Sequence, residues 1–203
     1  MATINPLYTE LPQILFMAVM RISDRRIVAT SSAQGDLDKD GLRKLIGGNE
    51  SLVTGKRCSA TGAAQTANYL LDATGGVYIV VTNKAYPPRV AFQVIDEFQE
   101  HFSKDYGAEI AAAKEEGLTR KSKKLLVQLY EKYCNPGNVD KLSNIQAKLE
   151  VTTSVMKENI EKMLENTART EEINEKSQGL LEQSAIFEKQ AKKLKGTSIT
   201  HTT

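Results

Sequence analysis

The first 134 residues alternate between short β-prone runs and stretches with helical spacing. Branched and aromatic residues are concentrated in five short runs, which predict five strands. The runs are residues 14–22, 25–32, 56–62, 68–73 and 77–83. They follow one another along the chain, with turn signals at Ser23-Asp24 and Gly75-Gly76, so we expect an antiparallel sheet in meander order.

Three other stretches have the spacing of helices. A short one begins after an aspartate and ends at Gly47-Gly48. A second follows Pro87-Pro88, keeps its apolar residues on one face, and is expected to end at Gly107. The third covers residues 119–134. Together the elements predict an α+β domain of about 120 residues, with helices covering one face of the sheet.

The pattern changes after the turn at residues 135–138. Residues 139–195 contain no proline and one glycine, Gly179, and they carry a stripe with steps of three and four. Over about seven heptads, this period predicts a left-handed coiled coil. The sixteen stripe positions are Leu142, Ile145, Leu149, Thr152, Met156, Asn159, Met163, Asn166, Thr170, Ile173, Ser177, Leu180, Ser184, Phe187, Ala191 and Leu194.

Six of the sixteen stripe residues are polar, and they indicate the kind of coiled coil. The polar six are Thr152, Asn159, Asn166, Thr170, Ser177 and Ser184. A buried hydroxyl or amide without a partner costs about 1–3 kcal/mol, so a homodimer with this seam would be weak. Small side chains instead leave room for bulkier residues of different helices. We interpret the segment as one strand of a heteromeric coiled coil that folds when partners bind.

Composition and charge exclude several other classes of protein. The 203 residues have a net charge of +2, which gives no general signal for nucleic-acid binding. Two cysteines are too few for a disulfide scaffold, and two histidines without a Cys/His cluster do not predict a metal site. Glycine pairs lack the lysine and spacing of a phosphate loop. We therefore predict no cofactor and no metal.

Both halves of the chain resemble one known family, the longin-domain R-SNAREs of the synaptobrevin type. The first half contains "NKAYPPRVAFQVIDEFQEHFSK", the junction reads "YEKYCNPGNVDKLSNIQAKLE", and "VMKENIEKMLEN" is similar to the centre of the SNARE motif. Among subfamilies, the chain looks closest to the lipid-anchored Golgi and vacuole longin SNARE, then to the ER–Golgi longin SNARE. The resemblance implies a profilin-like longin fold, a five-stranded antiparallel sheet with three helices, followed by a long SNARE helix.

The resemblance also implies a division of the chain and a set of functional residues. We expect a longin domain at residues 1–135, a linker at 136–140, the R-SNARE-like motif at 141–195 and a disordered tail at 196–203. The stripe residues become the core layers of a four-helix complex with three glutamine-bearing SNARE helices. An apolar surface of the longin domain at Leu42, Leu45 and Ile46 is a candidate for binding the unzipped motif, although such residues are more often plain core.

The central layer departs from the family pattern. Members of the family carry an arginine there, which meets three glutamines of the partner helices, whereas this register places Asn166 at that position. Asn166 can still hydrogen-bond glutamine and fix the register, but it has no charge and fewer donors. Arg169 lies off the stripe, and a register that included it would place Lys176 in the seam. Thr170 also thins the core just after the centre.

Three hypotheses for function stay open from the residues. The first is a SNARE of vesicle-mediated transport that drives or regulates membrane fusion, with an autoregulatory longin domain. The second is a non-fusogenic, inhibitory or regulatory SNARE-like protein, because the sequence shows neither a central arginine nor a membrane-spanning or lipidation signal. The third is an enzyme with Cys58 as nucleophile; neither His101 nor His201 is tied to Cys58 by a motif, so we predict no catalysis.

The expected location is cytoplasmic and peripheral to endomembranes. The longest wholly apolar run, residues 14–20, is far shorter than the roughly 20 residues needed to span a bilayer. The last residues carry a lysine cluster that can touch an anionic leaflet reversibly or can simply be a solvated charged face. The cluster consists of Lys189, Lys192, Lys193 and Lys195.

Overall fold

The computed structural model describes residues 11–32, 38–49, 52–137 and 156–160, all within the compact unit Met1–Leu164. Within these residues the strands are β1 Ile14–Arg21, β2 Arg26–Ser32, β3 Arg57–Thr61, β4 Gln65–Leu71, β5 Gly76–Asn83 and β6 Met156–Asn159. The helices are α1 Lys39–Gly47, α2 Pro88–Ile110 and α3 Thr119–Tyr133. The predicted fold class, a five-stranded antiparallel sheet with three helices, is confirmed for β1 to β5 and α1 to α3.

The strands lie in the order β2-β1-β5-β4-β3-β6, so the expected meander order is wrong. The chain forms the β1–β2 hairpin and then crosses through α1 to the far side of the sheet, where β3 begins. The β3-β4-β5 meander returns toward the centre, and β5 pairs with β1. Every residue of β5 is buried and most of β1 is buried. The two most apolar strands therefore occupy the centre, where both faces are covered.

Helices cover both faces of the sheet, and the prediction of a single covered face is wrong. One core cluster packs α2 and α3 on the face that carries Met17, Tyr78 and Val80. The other cluster packs α1 on the opposite face, against Ala18 and Ile79. Because alternate residues of a strand point to opposite faces, strands that are apolar at nearly every position need a cover on each side.

Helix α2 continues past Gly107 to Ile110, so the predicted stop at Gly107 is wrong. Ile110 is buried in the core, and its burial favours one more helical turn. The last carbonyls of the helix are also satisfied, because Nη1 of Arg21 donates to the oxygens of Ile110 (2.8 Å) and Ala111 (2.6 Å). Asp24 holds the Arg21 guanidinium at 2.6 Å, and this hydrogen bond lowers the pKa of Asp24 to about 2.

Helices α2 and α3 are joined by a polar contact above their shared core. Glu97 of α2 accepts hydrogen bonds from Lys132 (2.6 Å) and from the hydroxyl of Tyr133 (2.7 Å). Partial burial raises the pKa of Glu97, but the hydrogen bonds from Lys132 and Tyr133 outweigh it, so the pKa lies below its ordinary value. Lys121 of α3 pairs with Glu109 at 2.6 Å. Both lysine contacts fix the α2-facing side of α3.

The turn between β1 and β2 offers a test of backbone strain. Arg25 has φ of +54°, a conformation that costs a residue with a Cβ roughly 1–2 kcal/mol. Glycine removes this strain and loses about 0.5–1 kcal/mol of chain entropy. We expect Arg25→Gly to raise the free energy of unfolding slightly, by up to about 1 kcal/mol, in urea denaturation followed by circular dichroism. The neighbouring Arg26→Gly, at an extended position in β2, should lower it; equal losses in both variants would contradict the strain.

Candidate functional site at the outer edge of β3

Strand β3 is paired along both of its edges. Its inner edge pairs with β4 in antiparallel orientation, and its outer edge pairs with β6 in parallel orientation. The β6 register aligns Cys58 with Met156, Ser59 with Lys157, Ala60 with Glu158 and Thr61 with Asn159. Without β6, this short strand would present unpaired backbone groups at the sheet edge, which is a template for pairing with another strand. Residues 156–159, almost 100 positions further along the chain, cover that edge.

Ile160, directly after β6, adds an apolar contact to the backbone pairing. It is half-buried and packs against the core cluster on the α1 side of the sheet. Gly62, directly after β3, lies under it: a Cβ placed on Gly62 would be 3.2 Å from Cδ1 of Ile160. The absence of a side chain at Gly62 thus lets Ile160 approach the end of β3.

Helix α1 forms the wall of the site. Leu42, Leu45 and Ile46, the predicted apolar surface, are only 5%, 4% and 2% exposed and belong to the cluster that Ile160 contacts. The end of α1 is tied to β4, because the Asn49 amide donates to the buried Tyr69 hydroxyl at 2.7 Å. The structure therefore places the three apolar residues in the core beneath α1, and Ile160 packs at the border of that core.

The start of α1 is tied to the turn before α3 by two ion pairs. Lys39 pairs with Glu116 at 2.8 Å, and Arg43 pairs with Glu115 at 2.7 Å. All four side chains are roughly a third or more exposed, so each pair contributes little stability. The pairs orient α1 rather than hold the fold together.

Two of the predicted coiled-coil positions, Met156 and Asn159, lie in β6. Here the structure has a strand where the stripe predicts a helix. A seam with polar members gains little from helix formation until partner helices cover it, whereas β3 offers backbone partners within the same chain. Asn166, the other predicted layer residues and Lys189 to Lys195 lie outside the described residues.

The sequence pattern did not indicate which residues of the longin domain contact β6 and Ile160. Cys58, Ala60 and Gly62 look like an ordinary strand and turn, because a free edge is a property of the assembled sheet. Ile160 lies off the predicted stripe. One signal was present: "VTTSVM", residues 151–156, contains four β-branched residues, which favour strand over helix.

Two of the three residues named in the enzyme hypothesis, Cys58 and His101, lie in different elements, β3 and α2. Cys58 is fully buried within β3, where a thiol is inert packing rather than a reactive nucleophile. His101 lies on the exposed side of α2, beside the α2–α3 contact. The third residue, His201, lies outside the described residues.

Comparisons with known families match both halves of the chain. The sequence model of the longin family, described as a regulated-SNARE-like domain, matches residues 39–124. The sequence model of the synaptobrevin family matches residues 141–202. The first match covers α1 to the first turns of α3, and the second includes β6 and Ile160.

Individual relatives agree with these matches. The chain is 32% identical over 123 residues to the synaptobrevin homolog YKT6 of Yarrowia lipolytica, covering 60% of each protein. It is 26% identical over 196 residues to the synaptobrevin homolog YKT6 of Saccharomyces cerevisiae, covering 89% of this chain and 96% of the relative. It is 28% identical over 127 residues to the vesicle-associated membrane protein 714 of Arabidopsis thaliana. The chain spans 58% of that protein's length, less than two thirds, as it does for the Yarrowia protein.

The sheet with helices on both faces, followed by a segment of synaptobrevin type, defines a longin domain joined to a SNARE motif. The chain belongs to the longin-domain SNAREs of the synaptobrevin type. This is a family of trafficking proteins rather than of enzymes. In the part of the chain that the structure describes, no helix combines the length and apolar character needed to cross a bilayer.

Proposed function

We propose that the protein is a SNARE of vesicle-mediated transport whose longin domain regulates the availability of its SNARE motif. The observation that carries this proposal is the pairing of residues 156–159, within the synaptobrevin-matched region, with β3. We call the arrangement in which β6 pairs with β3 the closed state. In the open state, residues 141–195 form one helix of a complex with three glutamine-bearing SNARE helices.

The two states exclude each other for a simple geometric reason. A strand rises about 3.3 Å per residue and a helix about 1.5 Å per residue. Met156 and Asn159 therefore cannot pair with β3 and fill adjacent layers of a coiled coil at the same time. Occupation of β3 by this segment supports a role for the longin domain in regulating complex assembly.

The closed state is held by a small interface, which suits a switch. Four residues pair along β3, and each backbone hydrogen bond contributes about 0.5–1.5 kcal/mol net. Half-burial of Ile160 adds roughly 1–2 kcal/mol. A coiled coil that buries many apolar layers can outweigh a sum of this size, so partner helices can displace β6 from β3.

Within this function we propose the domain division expected from the sequence. The longin domain is residues 1–135, the linker 136–140, the SNARE motif 141–195 and the tail 196–203. We further propose a cytoplasmic location at endomembranes, with the lysines of residues 189–195 as a reversible contact with anionic lipid.

Assembly with partner helices tests the proposal. The segment 139–195 alone is expected to show low helicity by circular dichroism, because its seam is incomplete. Addition of three glutamine-bearing SNARE helices should raise the helicity well above the sum of the separate spectra and produce a cooperative melting transition. Three helices of a designed coiled coil without the central glutamines serve as the control. A cooperative melt of the segment without partners would contradict the proposal.

A second candidate function is favoured by Asn166. A protein that binds the partner helices through a weak central layer inhibits or regulates fusion and does not drive it. Fusion of vesicles that carry the complementary SNAREs distinguishes the two. An inhibitor lowers lipid mixing when it is added to a complete set of partners, whereas a fusogenic SNARE restores mixing when it replaces its counterpart.

A further inference from the structure

The exposed surface of α3 carries a row of cations. Arg120, Lys123 and Lys124 are exposed and lie at i, i+3 and i+4, a single helical face. Val127, 40% exposed and one of the few large apolar residues on the described surface, continues the same face at i+7. The four residues span about 10 Å along the helix. We call this row the α3 basic face.

The α3 basic face borders the side of α3 that touches α2, because Lys124 also lines the groove between the two helices, beside acidic residues of α2. On the α2-facing side, Lys121 and Lys132 each pair with a glutamate at 2.6 Å. On the basic face, the structure shows no ion pair for Arg120, Lys123 or Lys124 within the residues that it describes. The ion pairs between α2 and α3 therefore use Lys121 and Lys132, not the cations of the basic face.

The position of Arg120 in the first turn of α3 opposes the stability of the helix. The first turn of α3 has no acidic residue, and its N-cap, Leu118, makes no side-chain cap. A cation in the first turn of a helix costs about 0.3–1 kcal/mol, and Arg120 lies in that turn of α3. An external anion would turn this cost into a gain.

We propose that the α3 basic face binds an anionic lipid surface and orients the longin domain on the membrane. The face is a flat row on one helix rather than a cleft, which fits the plane of headgroups better than a small ligand. Val127 can approach the headgroup region between the cations, whose long stems let the charges reach lipid phosphates. The inference rests on the proposed function in vesicle transport, which places the protein beside membranes. It is separate from the lysines of residues 189–195, which lie at the end of the proposed SNARE motif.

Sedimentation of the full chain with vesicles tests the proposal. Vesicles of phosphatidylcholine with phosphatidylserine should bind the protein, and vesicles of phosphatidylcholine alone should not. Because each cation near the surface contributes about a fivefold change in affinity, Lys123→Gln/Lys124→Gln should bind about 25-fold more weakly. Lys56→Gln/Lys84→Gln, two exposed lysines outside the face, changes the net charge equally and should bind within about twofold of the wild type. Thermal unfolding should show Lys123→Gln/Lys124→Gln to be as stable as the wild type or more stable.

Several outcomes would overturn the lipid assignment. The first is wild-type binding by Lys123→Gln/Lys124→Gln, and the second is an equal loss in both double variants, which would indicate a general charge effect. The third is binding of soluble inositol hexakisphosphate or of polyglutamate through the same lysines without any binding to vesicles. Assembly with three glutamine-bearing helices should be unchanged in Lys123→Gln/Lys124→Gln. Failure of vesicle binding and failure of the proposed SNARE function are therefore seen in different measurements.

Discussion

Replacement of Ile160 by aspartate is expected to open the closed state and speed assembly with partner helices by about tenfold or more. The substitution removes a half-buried apolar contact from the α1-side core and places a carboxylate at its border. Together these effects disfavour the closed state by about 2–3 kcal/mol. Ile160 lies off the predicted stripe, so the seam that the partner helices bind stays intact. Stopped-flow fluorescence with labelled partner helices measures the rate.

Amide hydrogen exchange reports the same opening without partners. Those β3 amides that do not bond to β4 should lose protection in Ile160→Asp, while amides of the central strand β5 should keep theirs. Ile160→Leu is the matched control, because it keeps an apolar side chain at the site and should stay closed. Gly62→Val provides a second route from the longin side, since a side chain there meets Cδ1 of Ile160. Unchanged assembly rates in both Ile160→Asp and Gly62→Val would show that the closed state does not regulate the motif.

Asn166→Arg is expected to tighten the complex with three glutamine-bearing helices by about 10- to 100-fold. A guanidinium has more donors than an amide and carries a charge, and a hydrogen bond to a charged group contributes about 1.5–3 kcal/mol. In a layer shielded from water, one arginine can donate to all three glutamines. The gain should appear mainly as slower dissociation, measured by exchange of labelled helices.

Two variants test whether the gain belongs to the central layer. Thr167→Arg adds the same charge at the next residue, off the stripe, and should leave dissociation nearly unchanged. Arg169→Ala addresses the other register: a loss of affinity there would indicate that Arg169, not Asn166, meets the glutamines. Equal gains from Asn166→Arg and Thr167→Arg would show a general charge effect and would argue against the proposed register.

The sequence by itself determined the elements of the longin domain. The runs of branched and aromatic residues predicted β1 to β5. The helical spacing predicted α1 to α3, because burial of one face of a helix leaves a local repeat. Turn chemistry at Gly75 was also local, since its φ of +83° favours glycine. The end of α2 was not predicted, because Arg21, about 90 positions earlier, satisfies the last carbonyls of that helix.

Strand order, the second covered face and the partner of β3 were decided only by the tertiary structure. Strand periodicity gives the two faces of a strand but not its neighbours, so β5 beside β1 could not be read from it. Residues 156–159 carry a helical stripe and pair as a strand, because β3 offers an unpaired backbone edge and one chain alone offers no partner helices. The stripe reflects packing in the complex that the segment is proposed to join. Strand β6 forms only because the folded longin domain presents the free edge of β3.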